Sequence, residues 1–338
     1  MRLRFSFVLA GVALGAVSAS AQGPDPRELD NAVRHAVTRA YQGRDTRQEQ
    51  TDRFSGKYRI GRDGRVSVQN ISGDITVTAG SGDEVSVEAI KRARRDRGQL
   101  DQVRVEVDSA AGRVDIRTSY PRFNDVNVSV DYTVTVPTGV SVELHSVSGS
   151  VKVSGVRGVV RAETVSGAVT ATDTPKLELA KSVSGDVSFS GVSTDTDVSI
   201  GSVSGNVRGR SIKAHGLEFN SVSGDVVISD VTCDRLGAKS VSGSIEYSGS
   251  IAKSGRYDMN SHSGSIRVAL TNAPGFEVTA ATFSGSIRSD FPLTIGGDSD
   301  RRGDRRGING RSIRATFGDG SATLTLRTFS GNIVIEKR

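Results

Sequence analysis

Apolar residues recur along this chain in a fixed phase. From Val66 to Ile335 they alternate with polar ones, and a Ser-Gly pair interrupts the alternation at regular intervals. The clearest copy reads Leu217-x-Phe219, two residues, then Val222-x-Gly224-x-Val226-x-Ile228. The same frame fits Val66/Val68/Ile71/Gly73/Ile75/Val77, Val142/Leu144/Val147/Gly149/Val151/Val153 and Val198/Ile200/Val203/Gly205/Val207. It fits again at Leu236/Ala238/Val241/Gly243/Ile245/Tyr247, Tyr257/Met259/His262/Gly264/Ile266/Val268 and Leu324/Leu326/Phe329/Gly331/Ile333/Ile335. The copy before Val183 departs, because Leu177 and Leu179 sit one residue out of frame.

Period-two alternation predicts strands with one face buried. The three-residue step from Phe219 to Val222 slips that phase by one, which in a straight strand would turn every later side chain over. The apolar set stays inside only if the chain turns a corner there. This reading puts the motif Val, Ile or Phe inward and stacks the motif serines in a column outside. It gives the glycine an inward position where a missing side chain permits a bend.

Ten copies of the corner occur, at Gly73, Gly149, Gly167, Gly185, Gly205, Gly224, Gly243, Gly264, Gly285 and Gly331. From Gly149 to Gly285 they step by 18, 18, 20, 19, 19, 21 and 21 residues. A fixed period near 20 residues marks stacked units, each able to bury its apolar strip only against a neighbour. The predicted class is all-β: a single β-solenoid over 54–338 with about 19–20 residues per coil, preceded by a short N-terminal helix or tail. Residues 78–141 lack the strict motif yet still alternate, most clearly in Val126/Val128/Val130/Tyr132/Val134/Val136. They read as degenerate coils or a β-hairpin elaboration. Residues 289–312, rich in Gly, Arg and Asp, read as an exposed mobile loop.

The N-terminus reads differently. Arg2 and Arg4, the apolar stretch Phe5 to Val17 and Ala19-Ser20-Ala21 have the form of a signal peptide over 1–21, cleaved before Gln22. Residues 22–53 are polar, with a cap helix expected at 30–41 whose apolar face is Leu29, Val33, Ala36, Val37 and Ala40. No later apolar run is long enough for a membrane span. Export follows as an expectation, to the periplasm, the cell surface or the medium.

Charge adds little. Subtracting Arg2 and Arg4 from 44 Lys+Arg leaves 42 against 38 Asp+Glu, a net +4. The basic runs Lys91–Arg97 and Asp300–Arg306 each carry Asp as well as Arg and are not interleaved with aromatics, so no nucleic-acid surface is expected. Cys233, the one cysteine, excludes an internal disulfide and reads as a small buried hydrophobe.

These residues, above all the iterated Ser-Val-Ser-Gly-Asp/Ser-Val/Ile unit and Val130-Asp131-Tyr132-Thr133-Val134-Thr135-Val136-Pro137 leading into it, resemble a bacterial putative-adhesin family of unknown function. The resemblance covers about 54–338 and implies an exported surface or envelope protein. It supplies no catalytic residues, and the loop at 289–312 looks particular to this chain.

Chemistry-bearing motifs are scarce. His35, His145, His215 and His262 read as structural, with no acidic partner in register for His145 or His215. Asp74, Asp186 and Asp225 follow motif glycines, but Ser, Ala or Asn fills that slot elsewhere, which reads as turn chemistry rather than a calcium ladder. Arg302-Gly303-Asp304 reads as a chance tripeptide. No catalytic residue, metal site or cofactor is expected. The expected function is a non-catalytic binding or adhesion module of the cell surface or envelope, with an unidentified protein or glycan ligand. A self-associating periplasmic scaffold and a carbohydrate-active enzyme are the alternatives.

Overall fold

The computed structural model describes residues 49–94, 97–121, 126–295 and 311–338. The expected signal peptide, the cap helix and most of the loop at 289–312, with its Arg-Gly-Asp, lie outside the described residues. Among the described residues, twenty-four strands join in one continuous sheet wound around a single core. The sole helical segment among the described residues is one turn, Gly98–Gln102. The chain is an all-β solenoid.

Each coil contributes a strand to either of two faces. On the first, Ser141–Ser148, Val160–Ser166, Leu177–Ser184 and Asp197–Ser204 pair in parallel. The second halves of Val207–Ser223, Val226–Ser242 and Ile245–Ser263 extend that face. On the second, the last motif residue of each coil forms one column: Ile75, Val151, Val169, Val187, Val207, Val226, Ile245, Ile266, Ile333 and Ile287. All but Ile287 are buried. β-Branched side chains repeated at the strand spacing of about 4.8 Å line this half of the core. Inside, Phe189 and Phe219 stack at 6.0 Å and Tyr247 meets Tyr257 edge-on at 5.9 Å. Leu177 and Leu179 mark a β-bulge: the register with the coil before shifts between Val160 and Arg161, which lets Leu177 and Ala180 both reach the core.

The ends are built differently. Within 78–141, Glu84–Ala93 runs antiparallel to both Gln50–Arg59 and Val128–Pro137, while Arg104–Ala110 and Arg113–Ser119 form an antiparallel hairpin. At the other end the chain order is interleaved. The last coil, Ala322–Ser330 and Ile333–Lys337, lies between Ile245–Asn272 and the earlier coil Gly275–Ser289. Arg311–Gly318 then pairs antiparallel on the outside of Gly275–Ser284.

The corner departs from the sequence expectation. Val222 is not inside: it is 46 % exposed, and Ser221 is buried in its place. The inward phase runs Leu217, Phe219, Ser221 unbroken and is reset only after the following Val and Ser. The reason is a carbonyl. At most corners the glycine C=O takes a hydrogen bond from a buried hydroxyl, usually that of the next coil, and at Gly73 from the amide of Asn70. Thr164 donates to Gly149 O at 2.9 Å, Ser182 to Gly167 O at 2.8 Å and Ser202 to Gly185 O at 2.9 Å. A Val there would leave a buried acceptor unpaired. The glycine's absent side chain would point along the stack, not into the core: a Cβ on Gly224 would lie 2.2 Å from Gly205 O.

The acidic corner residues close the turn as well. Asp74 Oδ1 accepts from Ser150 N at 2.7 Å, Asp186 Oδ1 from Asn206 N at 2.8 Å and Asp225 Oδ1 from Ser244 N at 2.8 Å. Asn206 and Asn332 accept a neighbour's N–H in the same way. These oxygens are engaged by backbone donors from coil to coil.

Candidate functional site: an exposed apolar ladder

The corner geometry turns the motif hydrophobes outward in a row. In spatial order they are Ile71, Val147, Val165, Val183, Val203, Val222, Val241, His262, Phe329 and Phe283. The nine apolar members are 42–51 % exposed. Nine steps of about 4.8 Å make a stripe about 43 Å long. The interleaved last coil sets its end: Phe329 sits between His262 and Phe283, with ring centroids 5.0 and 4.7 Å away and planes within 8° and 3° of parallel. Beside the ladder the motif serines, from Ser72 and Ser148 to Ser330 and Ser284, align in register.

Two residues before each ladder position runs a mostly polar column: Gln69, His145, Glu163, Lys181, Gly201, Asn220, Lys239, Asn260, Arg327 and Ala281, which Arg117 extends beyond Gln69. Between these columns, from Ile71 to Val241, lies an elongated groove of about 1160 Å³. A second hollow of about 510 Å³ lies by Phe283, Phe329, Arg311 and Arg327. Single exposed apolar residues are ordinary on a protein surface; a continuous row is not.

Charge pairing on this face is uneven. His145 does have acidic partners, correcting the sequence reading: Glu163 faces it in register at 3.3 Å from Nδ1, and Glu143 lies 3.2 Å from Nε2. The Arg65 guanidinium and then His145 hold the Glu143 carboxyl below the usual range. His215 likewise meets Asp234, at 3.1 Å. Arg161 pairs with Glu178 at 2.7 Å and Arg235 with Asp197 at 3.3 Å. By contrast, Arg117, Lys181, Lys239 and Arg327 form no ion pair among the described residues, and all four are exposed. Four cations against Glu163 leave the polar column at +3.

Elsewhere the reactive groups are closed off. Cys233 is buried, and burial first, then Asp234, pushes its thiol up to about 12. Tyr257 donates to Cys233 O at 2.6 Å and accepts from Ala252 N at 2.9 Å. No cluster of three metal-ligating side chains occurs among the described residues. No helix among them is long and apolar enough to cross a membrane.

Sequence reasoning placed the corners but missed the ladder, because it let the apolar valine outrank the serine. One signal was available: the period-two run from Leu217 and Phe219 continues onto Ser221, and Thr164, Thr282 and Thr328 fill the same slot. A hydroxyl shared by position, not hydrophobicity, marks the buried side of this turn.

A stack of short coils, each exposing one apolar side chain at the same corner, defines a β-solenoid repeat protein with a built lateral face. The chain belongs to the Toastrack DUF4097 family, which matches residues 64–336. Three solved structures are similar in outline. One is described as a putative lipid binding protein from Parabacteroides distasonis ATCC 8503, with 15 % identity, 85 % of this chain and 97 % of that one covered, and a TM-score of 0.41. Another is a putative adhesin from Bacteroides fragilis NCTC 9343, with 14 % identity, 84 % and 97 % coverage and a TM-score of 0.35. A putative cell adhesion protein from Clostridium sporogenes ATCC 15579 gives 9 % identity, 86 % and 100 % coverage and a TM-score of 0.25. Likenesses this remote carry no argument about ligand or activity. No curated protein matches the chain.

Proposed function

We propose that this chain is an exported, non-catalytic binding or adhesion module of the cell surface or envelope, and that the apolar ladder is its contact face. The observation that carries this reading is the row of nine exposed hydrophobes held in register over ten coils. Core stability asks for none of them, since the buried phase of each strand ends on the serine, threonine or, at Asn70, asparagine before. An exposed apolar stripe of this length costs solubility and is retained where something covers it. Export rests on the signal-like sequence of residues 1–21.

The test uses a ladder variant, Val183→Asp with Val203→Asp, in two assays. Protease shaving of intact cells, run beside periplasmic and medium fractions, locates the protein. Sedimentation of the purified protein with envelope fractions reads binding. Digestion on intact cells, with envelope binding lost in the folded variant, is the expected result. Protection until the outer membrane is opened sets the surface role aside in favour of a periplasmic one. Equal envelope binding by variant and parent overturns the assignment of the ladder.

A further inference from the structure

Resting on that reading, we infer that the groove from Ile71 to Val241 takes a single long-chain anionic amphiphile, its hydrocarbon along the valine ladder and its acidic head on Lys181 or Lys239. Three observations converge on this occupant. The first is shape. Six steps of about 4.8 Å give a groove about 29 Å long, open along one side and lined lengthwise by Ile71 and the valines from Val147 to Val241, which suits a polymethylene chain laid along it.

The second observation is periodicity. The ladder repeats every 4.8 Å or so, whereas alternate side chains of an extended peptide fall about 6.7 Å apart. A bound strand drifts out of phase within two or three coils, and a wall of near-identical valines offers no separate side-chain pockets. A polymethylene chain has no phase to keep. A sugar chain wants aromatic platforms, and between Ile71 and Val241 the ladder has none.

Charge is the third. Lys181 and Lys239 are exposed, flank the groove and lack a carboxylate partner among the described residues. They lie three coils apart, about 14 Å, so either can meet a head group while the chain lies along the valines. The same charge disfavours a second copy of this chain: an antiparallel pairing of two whole ladders brings Lys181 of one against Lys239 of the other.

Laurate and dodecyltrimethylammonium, which match in chain and differ in head charge, are titrated calorimetrically into the full chain. Saturable laurate binding is expected, with the cation at least tenfold weaker. Lys181→Glu with Lys239→Glu, both on the surface, should reverse that preference. Val183→Asp with Val203→Asp should abolish both, with the far-ultraviolet circular dichroism of each variant unchanged. Absence of laurate binding to the parent, or equal binding by parent and charge-reversed variant, overturns the inference. If laurate fails to bind but the ladder variant still loses envelope attachment, the contact face stands and its ligand is not an amphiphile. Sedimentation velocity covers the remaining occupant: a dimer that the ladder variant dissociates assigns the groove to a second copy and overturns the inference.

Discussion

Gly224→Ala tests the corner most sharply. The added Cβ would lie 2.2 Å from Gly205 O and 2.6 Å from Gly205 C, on a residue at φ +144°, where ordinary contact begins at 3.4 Å. One coil must therefore move from its neighbour by about 1 Å, because backbone, unlike a side-chain tip, has no rotamer to yield. That motion strains Gly205 N–H to Ser223 O at 3.0 Å, Gly224 N–H to Ser242 O at 3.1 Å and Val207 N–H to Asp225 O at 2.8 Å. Overpacking of this kind costs about 1–3 kcal/mol, and weakened buried hydrogen bonds add about 1 kcal/mol each. The expected loss is about 4–6 kcal/mol, or about 8–12 °C in Tm at about 2 °C per kcal/mol for a chain of this size. Gly237→Ala is the control: nothing lies within 4 Å of its Cβ, and no positive φ holds it. It should be neutral or gain a few tenths of a kcal/mol. Urea and thermal unfolding followed by circular dichroism measure both. A Gly224→Ala loss below about 1 kcal/mol, or equal losses at the two positions, refutes the argument that backbone contact between corners requires glycine.

Ser182→Ala deletes the donor to Gly167 O and should cost about 1–3 kcal/mol, whereas Ser240→Ala, at the same corner slot but with an unpartnered hydroxyl, should cost almost nothing; equal urea midpoints would show that the hydroxyl is not what holds the slot. Deleting residues 319–338 removes a layer from between Ile245–Asn272 and Gly275–Ser289, so limited proteolysis should cut rapidly within 275–318 while coils before 245 stay protected; protection of 275–289 contradicts the interleaved order. Burial pushes the phenols of Tyr120 and Tyr132 up to about 12, as it does the Cys233 thiol. All three are neutral when protonated, and the unfolded chain releases these protons from about pH 9 to 10. Above that the unfolded state binds fewer protons than the folded one, so stability is full at pH 7 and falls as pH rises toward 12; a urea midpoint that holds or rises between pH 8 and 11 contradicts this.

The order of layers and the surface they expose follow from different kinds of information. Period-two alternation and the ten glycines fix the all-β class, the coil length and the corner positions, because side-chain direction in a strand and backbone clearance at a turn are local properties. The column from Ile75 to Ile287 could be read directly from the motif's last residue. Which corner residue faces in was not local. It depends on the glycine carbonyl, which takes a side-chain donor from the buried slot, commonly a hydroxyl of the adjacent coil, as Thr164 shows with Gly149, and at Gly73 the amide of Asn70. The partners of His145 and His215 were hidden for the same reason: Glu163 and Asp234 are adjacent only after coils stack. Interleaving of the last coil, which brings Phe329 between His262 and Phe283, joins it to residues 67 and 46 positions earlier in sequence, and no periodicity carries that. The sequence alone determined the repeat. Only stacking decided that its valines would line the outside, because a buried carbonyl needs a hydrogen bond more than a half-exposed valine needs a core.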